Sequence, residues 1–386
     1  MMNLVPFGSV CSLQNGRAFK PEEWSASGTP IVRIQNLNDE TKPFNYCDFE
    51  VEKRFHVDSG DLLFSWSGTP GTSFGAFFWN RGKGFLNQHI FRVDIDERYI
   101  DKNYLRYAIN SKLDLIIDQA HGGVGLKHIT KGKLEAVEIP LPSLPEQKRI
   151  AAILDRADAI RRKRQQAIQL AEDFLRAVFL DMFGDLVTNP KGFPVGTVRD
   201  LVDTANYGSS EKASETEGEF PMLRMGNITY SGAIDFSGLK YVDLSKKDQP
   251  KYLVEKGDLL FNRTNSKELV GKTAVYDRDD VAAIAGYLIR VRMNEKGNSY
   301  YVSGYLNSTH GKSTLQNMCK SIVGMANINA QEMQNIQILL PPIEIQNKYA
   351  AIFQATKQRL RSQSQSEGNL ADLFAALSQK AFRGEL

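Results

Sequence analysis

Residues 139–154 read IPLPSLPEQKRIAAIL, and residues 338–353 read ILLPPIEIQNKYAAIF. At an offset of 199 positions Leu141-Pro142 falls on Leu340-Pro341, Gln147 on Gln346, and Ala151-Ala152-Ile153 on Ala350-Ala351-Ile352. The same offset carries Val124-Gly125 onto Val323-Gly324 and Ile129 onto Ile328. Upstream, Gly60-Asp61-Leu62-Leu63-Phe64 recurs as Gly257-Asp258-Leu259-Leu260-Phe261. Arg33-Ile34-Gln35-Asn36-Leu37 is echoed by Arg224-Met225-Gly226-Asn227-Ile228. Matches that keep their order while the offset drifts by a few positions mark a duplication with loop insertions. The period is far beyond the roughly 20–50 residues of a solenoid repeat, so a whole domain with its following helix is doubled.

Each copy divides in two. The first part is rich in short strands punctuated by Gly, Pro, Asn and Ser, with apolar runs at 61–65, 76–79, 90–93 and 288–291 and helical stretches at 102–119 and 300–318. The second part is a helix whose start is signalled by Pro142 to Pro145 and by Glu146 in the first turn. From Ile150 the apolar residues fall on a heptad: Ile150, Ala157, Ala171 and Val178 at one position, Ile153, Ile160, Ala167 and Phe174 at its partner. Gly184 stops the helix. The tail repeats the stripe with Ile352, Phe353, Leu360, Leu370, Leu373, Phe374, Leu377 and Ala381. Two imperfect stripes in one chain most simply pack on each other. About 40 helical residues span roughly 60 Å at 1.5 Å each, so two globular heads separated by a two-helix spacer are expected. The expected boundaries are 1–143 for the first head, 144–186 for the first helical region, 187–340 for the second head and 341–386 for the second helical region.

Composition narrows the class without naming a function. The chain has 386 residues, 48 Lys+Arg against 45 Asp+Glu, and 42% hydrophobic residues. Its apolar stretches fall short of the roughly 20 residues that a membrane span needs. The opening Met1-Met2-Asn3-Leu4-Val5-Pro6 lacks the basic and apolar regions of a signal peptide, so a cytoplasmic protein is expected. Cys11, Cys47 and Cys319 are scattered and odd in number, which implies neither a disulfide framework nor a zinc site. A net charge of +3 means that any nucleic-acid surface is local.

The run entering the long helix, Met182-Phe183-Gly184-Asp185 at its end, and the closing Gln379-Lys380-Ala381-Phe382-Arg383-Gly384-Glu385-Leu386 are familiar in combination. Over its whole length the chain resembles the specificity subunits of type I restriction-modification systems. The resemblance implies an α+β fold: two similar target-recognition domains joined by two long helices packed as an antiparallel coiled-coil rod. It implies a non-catalytic recognition subunit of a methyltransferase/endonuclease complex. Each domain would read one half of a bipartite, asymmetric sequence in double-stranded DNA, and the helices would set the unread spacer. Two modification subunits, which carry S-adenosylmethionine, would dock on the helices, and a restriction (endonuclease/translocase) subunit would join for cleavage. No cofactor is expected on this chain. The second copy departs from the pattern where Glu146-Gln147-Lys148-Arg149 becomes Ile345-Gln346-Asn347-Lys348, so unequal contacts at the two ends of the rod, on the same architecture, are expected. The residues themselves point the same way, because similar but unequal heads suit a non-palindromic target, whereas symmetric dimers read palindromes.

Base edges and phosphates are met by Arg, Lys, Asn, Gln, Ser and Thr. In the first head the candidates are Ser65, Trp66, Ser67, Thr69, Thr72 and Ser73 after the 61–64 strand, Arg33, Gln35 and Asn36, the amides Asn87 and Gln88, and Lys127 with His128. In the second head they are Arg224 and Asn227, then Asn262, Arg263, Asn265 and Lys267 at the point matching Ser65–Ser67, and Asn327 with Asn329 in the segment that sets Ala326 and Asn327 opposite Lys127 and His128. An ordinary turn remains the competing reading for each. Phe179 and Phe183 widen the first helix beyond a two-helix seam, and a modification subunit is expected to cover them. Arg161 to Arg164 read as a solvated helix face or a subunit contact, with steering of the DNA backbone as the alternative.

Motifs for intrinsic chemistry are missing. Gly271-Lys272-Thr273 and Gly311-Lys312-Ser313 end like a phosphate-binding loop, but Ser266 and Leu306 stand where its first Gly is required. Asn189-Pro190-Lys191-Gly192-Phe193 mimics an amino-methyltransferase motif without its second Pro and its aromatic at position four. Two alternatives stay open at this point: a self-contained DNA methyltransferase, and a duplicated adaptor with no DNA role.

Overall fold

The computed structural model describes residues 3–68, 74–121, 127–318, 320–322, 325–365 and 370–386. The chain forms two compact units, Met1–Arg164 with Glu367–Leu386, and Gln165–Ser366. The tail thus completes the first unit, and the last part of the first long helix belongs to the second. Among the described residues no helix is long and apolar enough to cross a membrane.

The first head is built on two four-stranded sheets. One is antiparallel, with Cys11–Asn15, Ile90–Ile95, Leu62–Ser65 and Gly75–Phe78 in that spatial order. The other orders Asn45–Cys47, Thr29–Val32, Gly84–Leu86 and His56–Val57, with the middle pair parallel. The run Leu62-Leu63-Phe64 is apolar throughout because both faces of its strand are buried. Leu62 and Phe64 join the core that packs on helices, while Leu63 joins Val32, Trp79 and Leu86. The second head repeats this arrangement. Val202–Tyr207, Leu288–Met293, Leu259–Asn262 and Thr273–Val275 form the first sheet, and Lys240–Val242, Phe220–Leu223, Ala282–Ile284 and Leu253–Val254 the second. Leu259 and Phe261 again face one core and Leu260 the other.

The duplicated framework is held by duplicated polar contacts. Asn110 accepts from the Ala76 N–H (2.7 Å) and donates to the Ala76 carbonyl (3.0 Å), satisfying the open edge of strand Gly75–Phe78. Asn307 donates to the Thr273 carbonyl at the matching place (2.8 Å). The Tyr104 hydroxyl donates to the Pro140 carbonyl and that of Tyr301 to the Leu339 carbonyl, each at 2.8 Å. The expected helical stretches are each a pair: Lys102–Asn110 with Leu113–Gln119, and Ser299–Asn307 with Thr309–Met318.

The first long helix runs unbroken over Leu144–Phe183, about 60 Å at 1.5 Å per residue. Gly184, at φ 79°, ends it and donates to the Leu180 carbonyl. Its start is tied to the first head by Gln147, 1% exposed. The Gln147 Oε1 accepts from the Asp101 N–H, and its Nε2 donates to the carbonyls of Tyr99 and Pro142. Gln346 makes the same three bonds to Asn298, Lys296 and Pro341 from helix Ile343–Gln365.

Within each unit two helices run antiparallel. In the first, Arg149 donates to the Leu386 carbonyl and Arg161 lies over the Phe374 ring of helix Leu370–Arg383. Ile150, Ala151 and Leu154 share a core with Phe374, Leu377, Ala381 and Phe382. In the second, Phe179 and Phe183 meet Tyr349, and Glu172 acts electrostatically on Lys357. The expected stripe is therefore buried towards its ends, whereas Ile160, Ile168 and Phe174 in its middle are exposed. There Arg161 and Arg162 pair with Asp158 one turn back, at 2.7 and 3.3 Å.

Phe179 and Phe183 require a correction. They are buried by their own unit, Phe183 with its ring centre 4.6 Å from Tyr301 and Phe179 stacked on Tyr301 at 5.9 Å. They are core residues, and a partner subunit has nothing left of them to cover.

Candidate nucleic-acid interface

At the end of strand Leu62–Ser65 the chain steps across to the short strand Ser67–Gly68, which pairs with Lys127–His128. The step is fixed by its backbone. The Trp66 N–H donates to the His89 carbonyl (3.3 Å), and the Ile129 N–H donates to the Trp66 carbonyl (3.0 Å). The Trp66 ring lies between His89, at 5.3 Å, and Phe91, at 5.7 Å. Arg33 sits near by, its guanidinium over the Trp24 ring at 5.3 Å and bonded to Asn45 Oδ1. Burial and the Arg33 charge hold the His89 imidazole below its ordinary range, so the ring is neutral at neutral pH. Gln88 is exposed and bonded to His89 Nε2. Asn87 is partly buried, and its N–H donates to the Val32 carbonyl.

The second head makes the same step with different side chains. The Arg263 N–H donates to the Tyr287 carbonyl and the Ile328 N–H to the Arg263 carbonyl. Thr264 pairs with Asn327 as Ser67 pairs with His128. The Arg263 guanidinium lies 4.8 Å from the Tyr207 ring centre, within reach of cation–π attraction. Its two further contacts, to the Gly286 carbonyl at 3.4 Å and to Asn327 Oδ1 at 3.5 Å, are long. Its Nε is buried without a partner. A flat cation resting on an aromatic and weakly tethered is well placed to exchange those contacts for a base edge or a phosphate.

Several candidates serve the framework instead. Asn36 and Asn227 are buried, and each Oδ1 accepts the N–H of Arg33 or Arg224 while each amide donates to carbonyls across its loop. Asn329 caps helix Ala330–Gln334, accepting from the Glu332 N–H. Ser65 and Ser67 are buried, Gln35 donates to the Pro43 carbonyl, and the Lys127 ammonium to the Ile117 carbonyl. Arg224 donates to the Gly238 carbonyl, and Asn265 accepts from the Ser266 N–H. Asn262 is fully buried, and neither end of its amide has a partner. Short polar residues form turns for the same reason that they read bases, which is why spacing alone did not separate the two roles. His128 and Lys267 remain exposed. Thr69, Thr72 and Ser73 lie outside the described residues.

Tyr207 is the neighbour that sequence reading missed. It lies 56 positions from Arg263, and the pairing of strands Val202–Tyr207 and Leu288–Met293 brings it there. The Asn189–Phe193 mimic is a tight turn in which Asn189, at φ 46°, bonds both backbone groups of Phe193. Among the described residues no three His, Cys, Asp or Glu side chains gather as a metal would require.

A family model described as the type I restriction modification DNA specificity domain matches residues 2–170 and again 190–367. The chain is 25% identical over 289 residues to the EcoKI specificity subunit of Escherichia coli K12, covering 70% of this chain and 62% of that protein. It is 23% identical over 422 residues to the EcoBI specificity subunit of Escherichia coli, covering 99% of this chain and 85% of that protein. The matched region therefore spans a little under two thirds of the first of these relatives and most of the second. The fold is that of the S subunit of the type I restriction-modification system from M. genitalium, with a TM-score of 0.65, 16% identity, and coverage of 99% and 96% of the two chains. With both of its heads matched by one model, the chain belongs to the family of type I restriction-modification DNA specificity subunits.

Proposed function

We propose that this chain selects the DNA target of a type I restriction-modification complex and performs no catalysis itself. Each head reads one half of a bipartite, asymmetric sequence in double-stranded DNA, and the long helices set the unread spacer and dock two modification subunits. Those subunits bring S-adenosylmethionine, a restriction subunit joins them for cleavage, and the complex works in the cytoplasm. The observation that carries the reading is the repeated step at Trp66 and Arg263: one backbone, held by the same hydrogen bonds, presents unlike side chains. A symmetric reader would repeat the side chains along with the backbone.

The test is the methylation pattern of the host genome with this chain intact and deleted. Loss of one split, asymmetric motif on deletion is expected; an unchanged pattern with the partner subunits expressed refutes the role. Saturable S-adenosylmethionine binding by the isolated chain would favour a self-contained methyltransferase instead. Arg263→Ala separates two kinds of contact. Loss of a base contact costs roughly 1–3 kcal/mol and relaxes one position of the motif, while loss of a phosphate contact weakens all sequences alike and flattens the salt dependence.

A further inference from the structure

The hydrogen-bond framework places four positions of one head on four of the other. Asn15 pairs with Phe91 and Tyr207 with Ile289, on strands that pair in turn through Phe64 and Phe261. Trp66 matches Arg263, because the N–H of each donates to a carbonyl on the adjoining turn. Those carbonyls belong to His89 and Tyr287, the third pair. His128 and Asn327, opposite Ser67 and Thr264, are the fourth.

The backbone between these positions is pinned. Gly16 and Gly208 follow Asn15 and Tyr207, and their N–H groups donate to the matching carbonyls of Ile90 and Leu288. A Cβ on Gly16 would lie 2.1 Å from the Asn87 carbonyl oxygen, and one on Gly208 would lie 2.3 Å from that of Ala285. No side chain fits either place. Ile129 and Ile328, buried in both heads, close the far side. The framework is thus held to one geometry, while all four residues it surrounds differ.

We infer that these four positions are the specificity-determining set of each head, with Tyr207 and Tyr287 in the second head and Asn15 and His89 in the first as reading residues beside Arg263, Trp66, Asn327 and His128. The inference rests on the DNA-reading role proposed above and assigns it to particular side chains. Tyr207 is 40% exposed, carries Arg263 on its ring and accepts the Ala330 N–H through its hydroxyl at 3.0 Å; Tyr287, whose carbonyl accepts the Arg263 N–H, is 52% exposed. The Tyr207 ring offers a base an apolar face, and the exposed phenol of Tyr287 offers both an apolar face and a hydrogen-bonding tip. In the first head the same places hold an exposed amide, an indole and two imidazoles. The second head offers a permanent cation held on a phenol, the first a neutral His89 beside an indole. Two surfaces this different select different half-sites.

The test is a transplant in the host, with the native modification subunits present and the methylated motif read by genome sequencing. The variant carries Tyr207→Asn, Arg263→Trp, Tyr287→His and Asn327→His. The expected motif keeps one half and the spacer, while methylation at the original second half falls at least tenfold or moves to another sequence. Tyr287→Ala, at an exposed ring, is expected to relax the second half at one base by fivefold or more without altering the first. Tyr230→Ala, exposed but outside the set, is the control and should leave the motif intact. The original motif methylated at wild-type levels by the transplant overturns the inference. So does an unaltered motif from Tyr287→Ala when the transplant is inactive. A wild-type chain that directs no split motif at all refutes the DNA-reading role itself, a separate outcome.

Discussion

Replacing Gln147 by leucine removes three hydrogen bonds from a site that is 1% exposed: Asp101 N–H to Oε1 at 2.8 Å, and Nε2 to the carbonyls of Tyr99 at 3.1 Å and Pro142 at 2.9 Å. At a net value of about 1 kcal/mol each, and with the three backbone groups left without the partner they had, the expected loss is about 3 kcal/mol. Urea unfolding read by tryptophan fluorescence reports on this unit alone, because all three tryptophans, Trp24, Trp66 and Trp79, lie in the first head. Gln147→Glu sharpens the test. Its second oxygen would face two carbonyls in a buried site, and both effects raise a carboxyl pKa above the ordinary range. A group whose pKa is raised on folding contributes stability below its unfolded pKa and loses it as pH rises through the folded one. The glutamate variant should therefore gain stability over the leucine variant between pH 7 and pH 5. A leucine variant within about 0.5 kcal/mol of wild type, or two variants that keep a constant difference across that range, would refute the clamp.

Three further outcomes are expected. The His89 imidazole should titrate below pH 6.5 in the folded chain by NMR, and Arg33→Gln should move it part of the way back. Because folding depresses this pKa, the His89 contribution to stability is complete above 6.5 and is lost as pH falls towards the folded value; a normal titration would refute the packing of that ring. Burial, with Glu135 and Asp94 near by, pushes the Cys11 thiol up to about 12, so thiol reagents at pH 8 should leave it unmodified until the first unit unfolds, and prompt labelling of the folded chain would contradict the structure. Gly304→Ala should destabilise the second unit by about 1–3 kcal/mol despite the better helix propensity of alanine, because the new Cβ would stand 2.7 Å from the Phe179 ring; a rise in melting temperature would show that this ring can yield.

The doubled segments at 139–154 and 338–353 were legible because the physics behind them is local: a Pro-marked start, a heptad, a Gly stop. Helix Leu144–Phe183 lies within the expected region 144–186, and the strand runs at 61–65 and 90–93 became Leu62–Ser65 and Ile90–Ile95. The candidate site was legible only in part. The matching of Trp66 with Arg263 followed from the repeat, but what surrounds them comes from strand pairings between distant segments. Asn36 and Asn329 looked like readers because capping a loop and reading a base need the same amide. Phe179 and Phe183 looked surplus to a two-helix seam because Tyr301 and Tyr349, which cover them, lie more than 100 positions away.

Those two rings also show how the duplicated seams came to differ. Tyr104 and Tyr301 mark equivalent places on the head helices, and Phe382 and Phe183 equivalent places on the helices that pack there, each pair in ring contact. Three residues after Tyr104 stands Tyr107; three after Tyr301 stands Gly304. Four residues before Phe382 stands Ser378; four before Phe183 stands Phe179. In the first seam the Tyr107 ring meets Phe374, two turns before Phe382, whereas in the second the space over Gly304 is filled by Phe179. Tyr107 then uses its hydroxyl, donating to Asp155 at 2.8 Å, where Arg106 also bonds at 3.1 Å. Gln354 stands in the place of Asp155 in the second copy and bonds the Tyr300 hydroxyl instead. Each seam is complete only with its own helix. Exchanging the two helix ends would put Tyr107 against Phe179 in one seam and leave a hole between Gly304 and Ser378 in the other, at the cost of overpacking and of a cavity respectively. The pairing of each helix end with its own head is therefore encoded in side-chain volume, independently of the loops that join them.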